Sequence, residues 1–331
     1  MSAQGKPLVS FVVPCYNYAR FLPDCLKGIF AQEGDFDFEV IIIDDGSVDA
    51  TKDVLSGFRD PRLRVVFHAE NRGHAATINE GLGLARGDFV ARIDPDDRYR
   101  PGFLSTLVEK LRAYPDVGLA YGDAAIINEA GEITELSCDR VHGGRDSKGN
   151  EFIALLEDNF ICSPTVIARR QAWQKALPVP AGLAFHDWYF TLQMAREYDF
   201  YYVNRVVADY RVHPDNHHSK IVISKKEEPS IFWLLDSVFG QQEKSAALQR
   251  EKRRAKSRVY GAHYFTLADK YFGFRMGGDA RRCYLGALRH RPRYIFSLGL
   301  LRRLLATFIG ARPYEYGKAF IKNMLGRNHP A

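Results

Sequence analysis

Short apolar, β-branched runs alternate with segments whose apolar positions recur every three or four residues. The run Leu8 to Pro14 reads as a strand, followed by helical spacing over Tyr18 to Gln32 through Phe21, Leu22, Cys25, Leu26, Ile29 and Phe30. Glu39 to Ile43 predicts a second strand and Ala50 to Phe58 a second helix. Leu63 to Phe67, His74 to Ala85 and Phe89 to Ile93 continue as strand, helix and strand. A strand–helix alternation at this pace predicts an α/β fold, a mostly parallel, doubly wound sheet with right-handed crossovers. Strands covered on both faces should be apolar throughout, and the VIII run at 40–43 fits.

Beyond Asp97 the pattern loosens. Phe103 to Tyr114 predicts a helix and Val117 to Asn128 mostly strand. Residues 137–150 are polar and glycine-rich and predict a mobile loop. Glu151 to Asn159 and His186 to Tyr198 predict helices, Phe200 to Tyr210 a strand, and from Lys225 onward the pattern is helical. We expect a catalytic domain over 1–222 and a basic helical region over 223–331.

Charge sharpens this division. The 331 residues carry a net charge of +6, but residues 1–220 hold 24 basic and 32 acidic side chains, and residues 221–331 hold 22 and 8. A basic region of this kind suits an anionic partner. The start of the chain lacks an apolar signal core, and no run reaches the roughly 18 apolar residues of a spanning helix. The cysteines at 15, 25, 138, 162 and 283 form no CxxC pair and no zinc spacing, and read as reduced thiols in a cytoplasmic setting.

In open α/β sheets, ligands bind at the carboxyl ends of the strands. Here those ends are Pro14-Cys15-Tyr16-Asn17, then Asp44-Asp45-Gly46-Ser47 with Asp49, and Asp94-Pro95-Asp96-Asp97. The reading gathers six carboxylates at two adjacent strand ends, which calls for hydrogen-bond donors or a cation. A hard ion such as Mg²⁺ or Mn²⁺ takes one or two carboxylates and completes its shell with substrate phosphates. No GxGxxG follows the first strand and no GxxxxGK[ST] occurs, which argues against a dinucleotide dehydrogenase and a P-loop NTPase.

Read in order, VSFVVPCYN at 9–17, VIIIDDGSVD at 40–49, NRGHAATIN at 71–79 and GDFVARIDPDD at 87–97 resemble the motifs of family 2 inverting glycosyltransferases. That family has the GT-A fold, a Rossmann-like, mostly parallel sheet flanked by helices. Pro101-Gly102, His186-Asp187-Trp188 and Tyr210-Arg211-Val212-His213 with Asn216 extend the resemblance to about residue 220. It implies that Pro14 and Tyr16 border a nucleobase, and that Asp45 accepts from a uracil N3–H. Asn71, Arg72 and Gly73 would wrap the base and diphosphate. Asn17, Asp44 and Asn79 join the donor-binding candidates. Asp94 and Asp96 form the DxD element, Asp96 being the expected direct metal ligand and Asp97 lying near the donor sugar. Asp187 takes the place of the general base, and His213 lies by the metal or diphosphate.

Simpler roles compete with these. Asp44 and Ser47 also suit a helix cap, Arg72 and Arg92 ordinary surface ion pairs, and Tyr18, Tyr99 and Tyr121 packing. His142 and Arg145 would reach substrate only if their loop closed as a lid.

The activity implied is transfer of a sugar from a nucleoside-diphosphate donor, preferably a UDP-sugar, to a glycan or lipid-linked acceptor in cell-surface polysaccharide synthesis. A nucleotidyltransferase would show a glycine- and basic-rich loop after the first strand, where this chain has PCYNYARF. Intact DxD and HD elements speak against an inactive binding module, and no nucleic-acid motif appears. In the basic region, Leu298, Leu301, Leu304, Leu305 and Phe308 share one helical face, preceded by Arg289, Arg291 and Arg293. Such a helix suits an anionic membrane interface, with the protein peripheral on the cytoplasmic face. The alternative is that the face packs on the catalytic domain or on another subunit of a homo-oligomer.

Overall fold

The computed structural model describes residues 7–214 and 225–309. The chain divides into two compact units, one of residues 1–155 with 159–216, the other of 156–158 with 217–331. Asn216 lies outside the described residues.

The first unit is built on one sheet. Its early elements are β1 (Val9–Cys15), α1 (Leu22–Phe30), β2 (Phe38–Asp44), α2 (Thr51–Gly57), β3 (Leu63–Phe67), α3 (His74–Leu84), β4 (Phe89–Arg92), β5 (Arg98–Tyr99) and α4 (Phe103–Ala113). They are followed by β6 (Val117–Ile127), β7 (Ile133–Glu135), β8 (Ser147–Gly149), α5 (Phe152–Glu157), β9 (Val166–Arg169), α6 (Arg170–Ala176), α7 (His186–Ala195) and β10 (Asp199–Arg211). Along the sheet the strands run β3-β2-β1-β4-β9-β6-β10-β5, with β7 beside β6 and β8 beside β10. β3, β2, β1 and β4 are mutually parallel, as are β6 and β10. β9 runs antiparallel between β4 and β6. Every residue of β1 and β2 is buried, the polar Ser10, Glu39 and Asp44 together with the apolar majority. Beneath them Phe11, Tyr99 and Phe103 pack ring on ring, with the Tyr99–Phe103 centroids 4.0 Å apart. Each such fully buried side chain contributes on the order of 1.5–3 kcal/mol.

Three expectations change. α1 begins at Leu22 rather than Tyr18, because Pro23 sits in its first turn, where a missing N–H costs nothing. β9 and α6 are not visible in the pattern: a four-residue strand runs into a helix without any turn residue between them. The loop at 137–150 is tied down. Asp123 on β6 accepts from the Cys138 and Asp139 amides, each at 3.0 Å, and β8 pairs with β10. The His142 ring stacks on Tyr202 at 3.7 Å and meets the Tyr121 hydroxyl at 2.9 Å, so it is packed away rather than poised as a lid.

The second unit is helical: α8 (Glu227–Gly240), α9 (Ala246–Gly273), α10 (Gly277–His290), a short 3-10 turn at Pro292–Phe296, and α11 (Leu298–Ile309). Lys252 and Glu243 form an ion pair within it, both buried, and Lys252 Nζ also donates to the Val238 and Gln241 carbonyls at the end of α8. Those carbonyls are among the acceptors a helix terminus leaves over.

Candidate active site

The six carboxylates are not one cluster, because β1 lies between β2 and β4. Each group is neutralised in its own way.

At the end of β2, backbone donors do the work. Asp45 Oδ1 accepts from the Arg72 amide at 2.9 Å and lies 2.6 Å from His68 Nδ1, and Oδ2 accepts from the Gly73 amide at 2.9 Å. Burial would raise this carboxyl, but those donors hold it below its usual range. The Thr77 side chain adds to them, so the carboxylate is held from several sides. Asp49 accepts from the Ala19 amide at 3.0 Å and from Thr51, and Asp44 accepts from the Ser47 hydroxyl. Asn17, with φ of 60°, places its Oδ1 2.8 Å from the Val48 amide, while its own amide donates to Ser47 Oγ at 2.8 Å. Gly46 has φ of +71°, and a Cβ there would sit 2.8 Å from the Glu70 carbonyl carbon, so glycine is required. Together these bonds join the loops after β1, β2 and β3 into one rim. Pro14 is buried in it, whereas Tyr16, Asn17, Asn71 and Arg72 are exposed along it. The Arg72 guanidinium pairs with Glu80 at 3.0 Å. Asn79 faces elsewhere: its amide exchanges two hydrogen bonds with the Val179 backbone, at 3.0 and 2.8 Å, and so pins that segment to α3.

At the end of β4 the DPDD loop is held by β10. β5 pairs antiparallel with β10, matching Arg98 to Asp209 and Tyr99 to Ala208, which lays the loop across the end of that strand. The Arg211 amide then donates to Asp97 Oδ1 at 2.9 Å, and Arg211 Nε donates to the Asp96 carbonyl at 2.7 Å. Two residues on, His213 Nε2 lies 3.1 Å from Asp96 Oδ2. Burial and the Asp94 charge raise Asp96, with His213 working against them. Asp97 is raised well above the usual carboxylate range by burial and by both neighbouring aspartates. Asp94 goes the other way: Arg92 and then His74 overcome the effect of burial and hold it well below its usual value.

Asp187 lies in the first turn of α7, where a negative charge suits the helix dipole, and its Oδ2 accepts from Asn159 Nδ2 at 3.2 Å. It lines a cavity with Arg92, Ser163, Trp173, Phe190 and Thr191. Arg92 is therefore no surface residue. It is buried at the end of β4, pairs with Asp94, and donates to Ser163 Oγ at 3.0 Å. Its Nε has no hydrogen-bond partner among the described residues. Burial disfavours its charge, but Asp94 and Asp187 outweigh that and raise its pKa. One guanidinium thus stands electrostatically between the DxD element and Asp187. His74, at the start of α3, lies 3.6 Å from Asp94 Oδ1 and 3.2 Å from His186 Nδ1.

Residues 10–176 match the family described as Glycosyl transferase family 2. The chain belongs to that family. This glycosyltransferase is 39% identical over 107 residues to the succinoglycan biosynthesis protein ExoO of Rhizobium meliloti, a match covering 32% of this chain and 30% of that protein. Among solved structures it resembles TarS of S. aureus in complex with UDP-GlcNAc, with a TM-score of 0.60 at 17% identity, covering 92% of this chain and 87% of the other. The mannosyltransferase PcManGT of Pyrobaculum calidifontis, with GDP-Man and Mn²⁺, gives 0.59 at 19% identity and the same coverage. The fold is theirs: a mostly parallel sheet flanked by helices, of GT-A type, with a helical C-terminal region. Asp187 and His213 lie beyond the family match.

Arg92, His74, His68 and Arg211 are the site residues to which motif order assigns no role. A visible signal existed for one of them: Arg92 interrupts an otherwise apolar strand, FVAR, and a charge there must find a partner.

Proposed function

We propose that this glycosyltransferase transfers a sugar, with inversion, from a UDP-sugar to a hydroxyl of a glycan or lipid-linked acceptor in cell-surface polysaccharide synthesis. One observation carries the reading: Asp96 meets His213, while Arg92 pairs with Asp94 and lines the cavity that holds Asp187.

Inverting transfer needs two unlike ends. On one side the acceptor oxygen attacks the anomeric carbon and its proton passes to a carboxylate, the role of Asp187. On the other side the bond from that carbon to the diphosphate oxygen breaks, and the diphosphate leaves with the electron pair. Asp96, His213 and Asp94 would hold Mg²⁺ or Mn²⁺. Among the described residues no three His, Cys, Asp or Glu side chains already form a metal cluster. Such an ion takes one or two carboxylates and would fill its shell from the donor phosphates. The raised Asp96 and Asp97 mark a crowding of buried negative charge that a cation relieves. Bound there, the ion would stabilise the charge developing on the leaving diphosphate.

Asp45, kept ionised by the donors around it, would accept from a uracil N3–H, and the exposed Tyr16 ring offers a stacking face on the same rim. Family membership and PCYNYARF after β1 both disfavour a nucleotidyltransferase. Five free thiols support a reducing, cytoplasmic setting.

The test is thermal unfolding with UDP, GDP and ADP, each with and without Mn²⁺. A nucleotide at a hundred times its dissociation constant adds about 2.7 kcal/mol to the native state. UDP with Mn²⁺ should raise Tm most. Equal shifts from all three nucleotides would refute the uridine assignment, and indifference to Mn²⁺ would refute the metal.

A further inference from the structure

The helical unit carries an apolar face that its own packing does not use. α11 has only two charged residues in twelve, Arg302 and Arg303. One side of the helix is inward: Leu300 and Ala306 are buried, Thr307 accepts from Arg281, and Arg303 pairs with Asp269. The other side is outward. Leu298, Leu305 and Phe308 are 76%, 65% and 61% exposed, and the turn before the helix adds Ile295 at 55% and Phe296 at 85%. The helix therefore has two apolar faces, where the sequence reading had one. Packing explains the first and leaves most of the second, where only the Phe308 ring carries a cover, the Arg281 guanidinium 3.8 Å from its centroid.

What surrounds the second face selects its partner. Residues 280–314 contain eight arginines and no acidic residue. Arg281, Arg282 and Arg303 are engaged within the unit. Arg289, Arg293 and Arg302 are exposed, Arg291 is half-buried, and none of the four pairs with a carboxylate among the described residues. Large apolar side chains standing in water amid unpaired arginines suit a surface that is apolar below and anionic at its edge. A protein partner would need an acidic rim around a greasy socket, whereas an anionic lipid interface has both by composition.

We infer that Phe296, Leu298, Leu305 and Phe308, flanked by Arg289, Arg293 and Arg302, form a peripheral membrane-binding face for bilayers rich in anionic lipid. No described helix is long and apolar enough to span a membrane. Two forces act together. Headgroup attraction adds about fivefold in binding for each arginine near the surface and fades with salt. Apolar insertion is indifferent to salt and scales with buried area. The inference does not depend on the donor or on Asp187.

Flotation of the full chain with vesicles tests it, using phosphatidylcholine alone and phosphatidylcholine mixed with phosphatidylglycerol. The wild type should float far more with the mixed vesicles than with the neutral ones, and salt should weaken its binding to the mixed vesicles toward the neutral level without abolishing it. Phe296→Asp with Leu305→Asp should reduce binding at least tenfold with Tm unchanged, since both side chains are already solvated. Arg289→Gln with Arg293→Gln should weaken binding about 25-fold at low salt and little at high salt. As a second apolar probe, Phe296→Ser with Leu305→Ser reports on insertion if the aspartates perturb folding. The inference is overturned if the wild type ignores anionic vesicles, or if the aspartate pair floats like the wild type. It is also overturned if the face proves to join two copies, so that the wild type is a dimer which the aspartates dissociate and neither form floats.

Discussion

The two units spend their residues in opposite ways. In the sheet unit, polar groups are driven inward: Asp45, Asp96, Asp97, Arg92 and Arg211 are all buried at the strand ends. In the helical unit, apolar groups are left outward, Phe296 and Leu298 most of all. Both arrangements cost stability, since a buried charge demands partners and an exposed phenyl ring forgoes burial. Structures keep such features where they serve. In the first unit the service we propose is sugar transfer at the strand ends, and in the second it is the inferred contact with a lipid surface.

Several substitutions would break or sharpen this contrast. The largest effect belongs to Asp187→Asn, which should lower turnover about 10²–10⁴-fold while UDP–Mn²⁺ affinity stays within a factor of two or so, as steady-state kinetics beside calorimetry would show. With a soluble acceptor, Phe296→Asp with Leu305→Asp should leave that same turnover unchanged. Near wild-type activity in the asparagine variant would mean that another carboxylate is the base.

Next in size is the buried ion pair of the helical unit. Lys252→Met removes the cation beside buried Glu243 and one donor each from the Val238 and Gln241 carbonyls. It should cost about 3–5 kcal/mol. Hydrogen exchange should accelerate across α8 and the start of α9, and adding Glu243→Met should recover part of the loss. A silent Lys252→Met would show the pair to be ornamental.

Glu39 offers the matching test in the sheet unit. It accepts from Ser10 Oγ at 2.7 Å, from the Arg86 amide at 2.9 Å and from Arg86 Nε at 3.0 Å. Burial raises its pKa, but Arg86 and Ser10 prevail and the folded value lies below the unfolded one. Its contribution is thus complete above the unfolded pKa of about 4.3 and is lost as pH falls through the folded value. Glu39→Gln should cost about 1–3 kcal/mol at neutral pH and flatten the acid limb of a stability–pH curve.

The smallest effect is that of His263. Its Nε2 donates to the Leu156 carbonyl at 2.8 Å, and burial lowers its pKa. The sign follows: its contribution is complete above the unfolded pKa of about 6.5, and stability declines as pH falls from there toward the lowered folded value. Denaturant melts of His263→Gln between pH 7 and 5 should show a shallower decline than wild type. An unchanged slope would exclude His263 as its source.

Much of this protein was legible in its pattern. The runs at 8–14 and 39–43 read as strands, and β1 and β2 follow them to within a residue, while helical spacing bounded α3 and α4 as closely. Local order was enough there, because a periodic apolar face leaves one way to bury itself. Motif order was enough to nominate the carboxylates too, since acidic residues after buried strands have few structural uses.

What motif order left open was which groups meet. β9 entered the sheet without a turn to announce it, and β5 carried the DPDD loop onto β10, so that Asp96 met a histidine 117 positions away. Arg92 became the link between two aspartates, and Asn79 became a clamp on Val179. α11 showed the same limit: periodicity marked it apolar, but only packing on one side decided which leucines remained for another partner. Propensity and period are properties of neighbours along the chain, whereas a charge pair or a covered face depends on strand order and loop closure. Those are settled only when distant segments compete for the same buried surface.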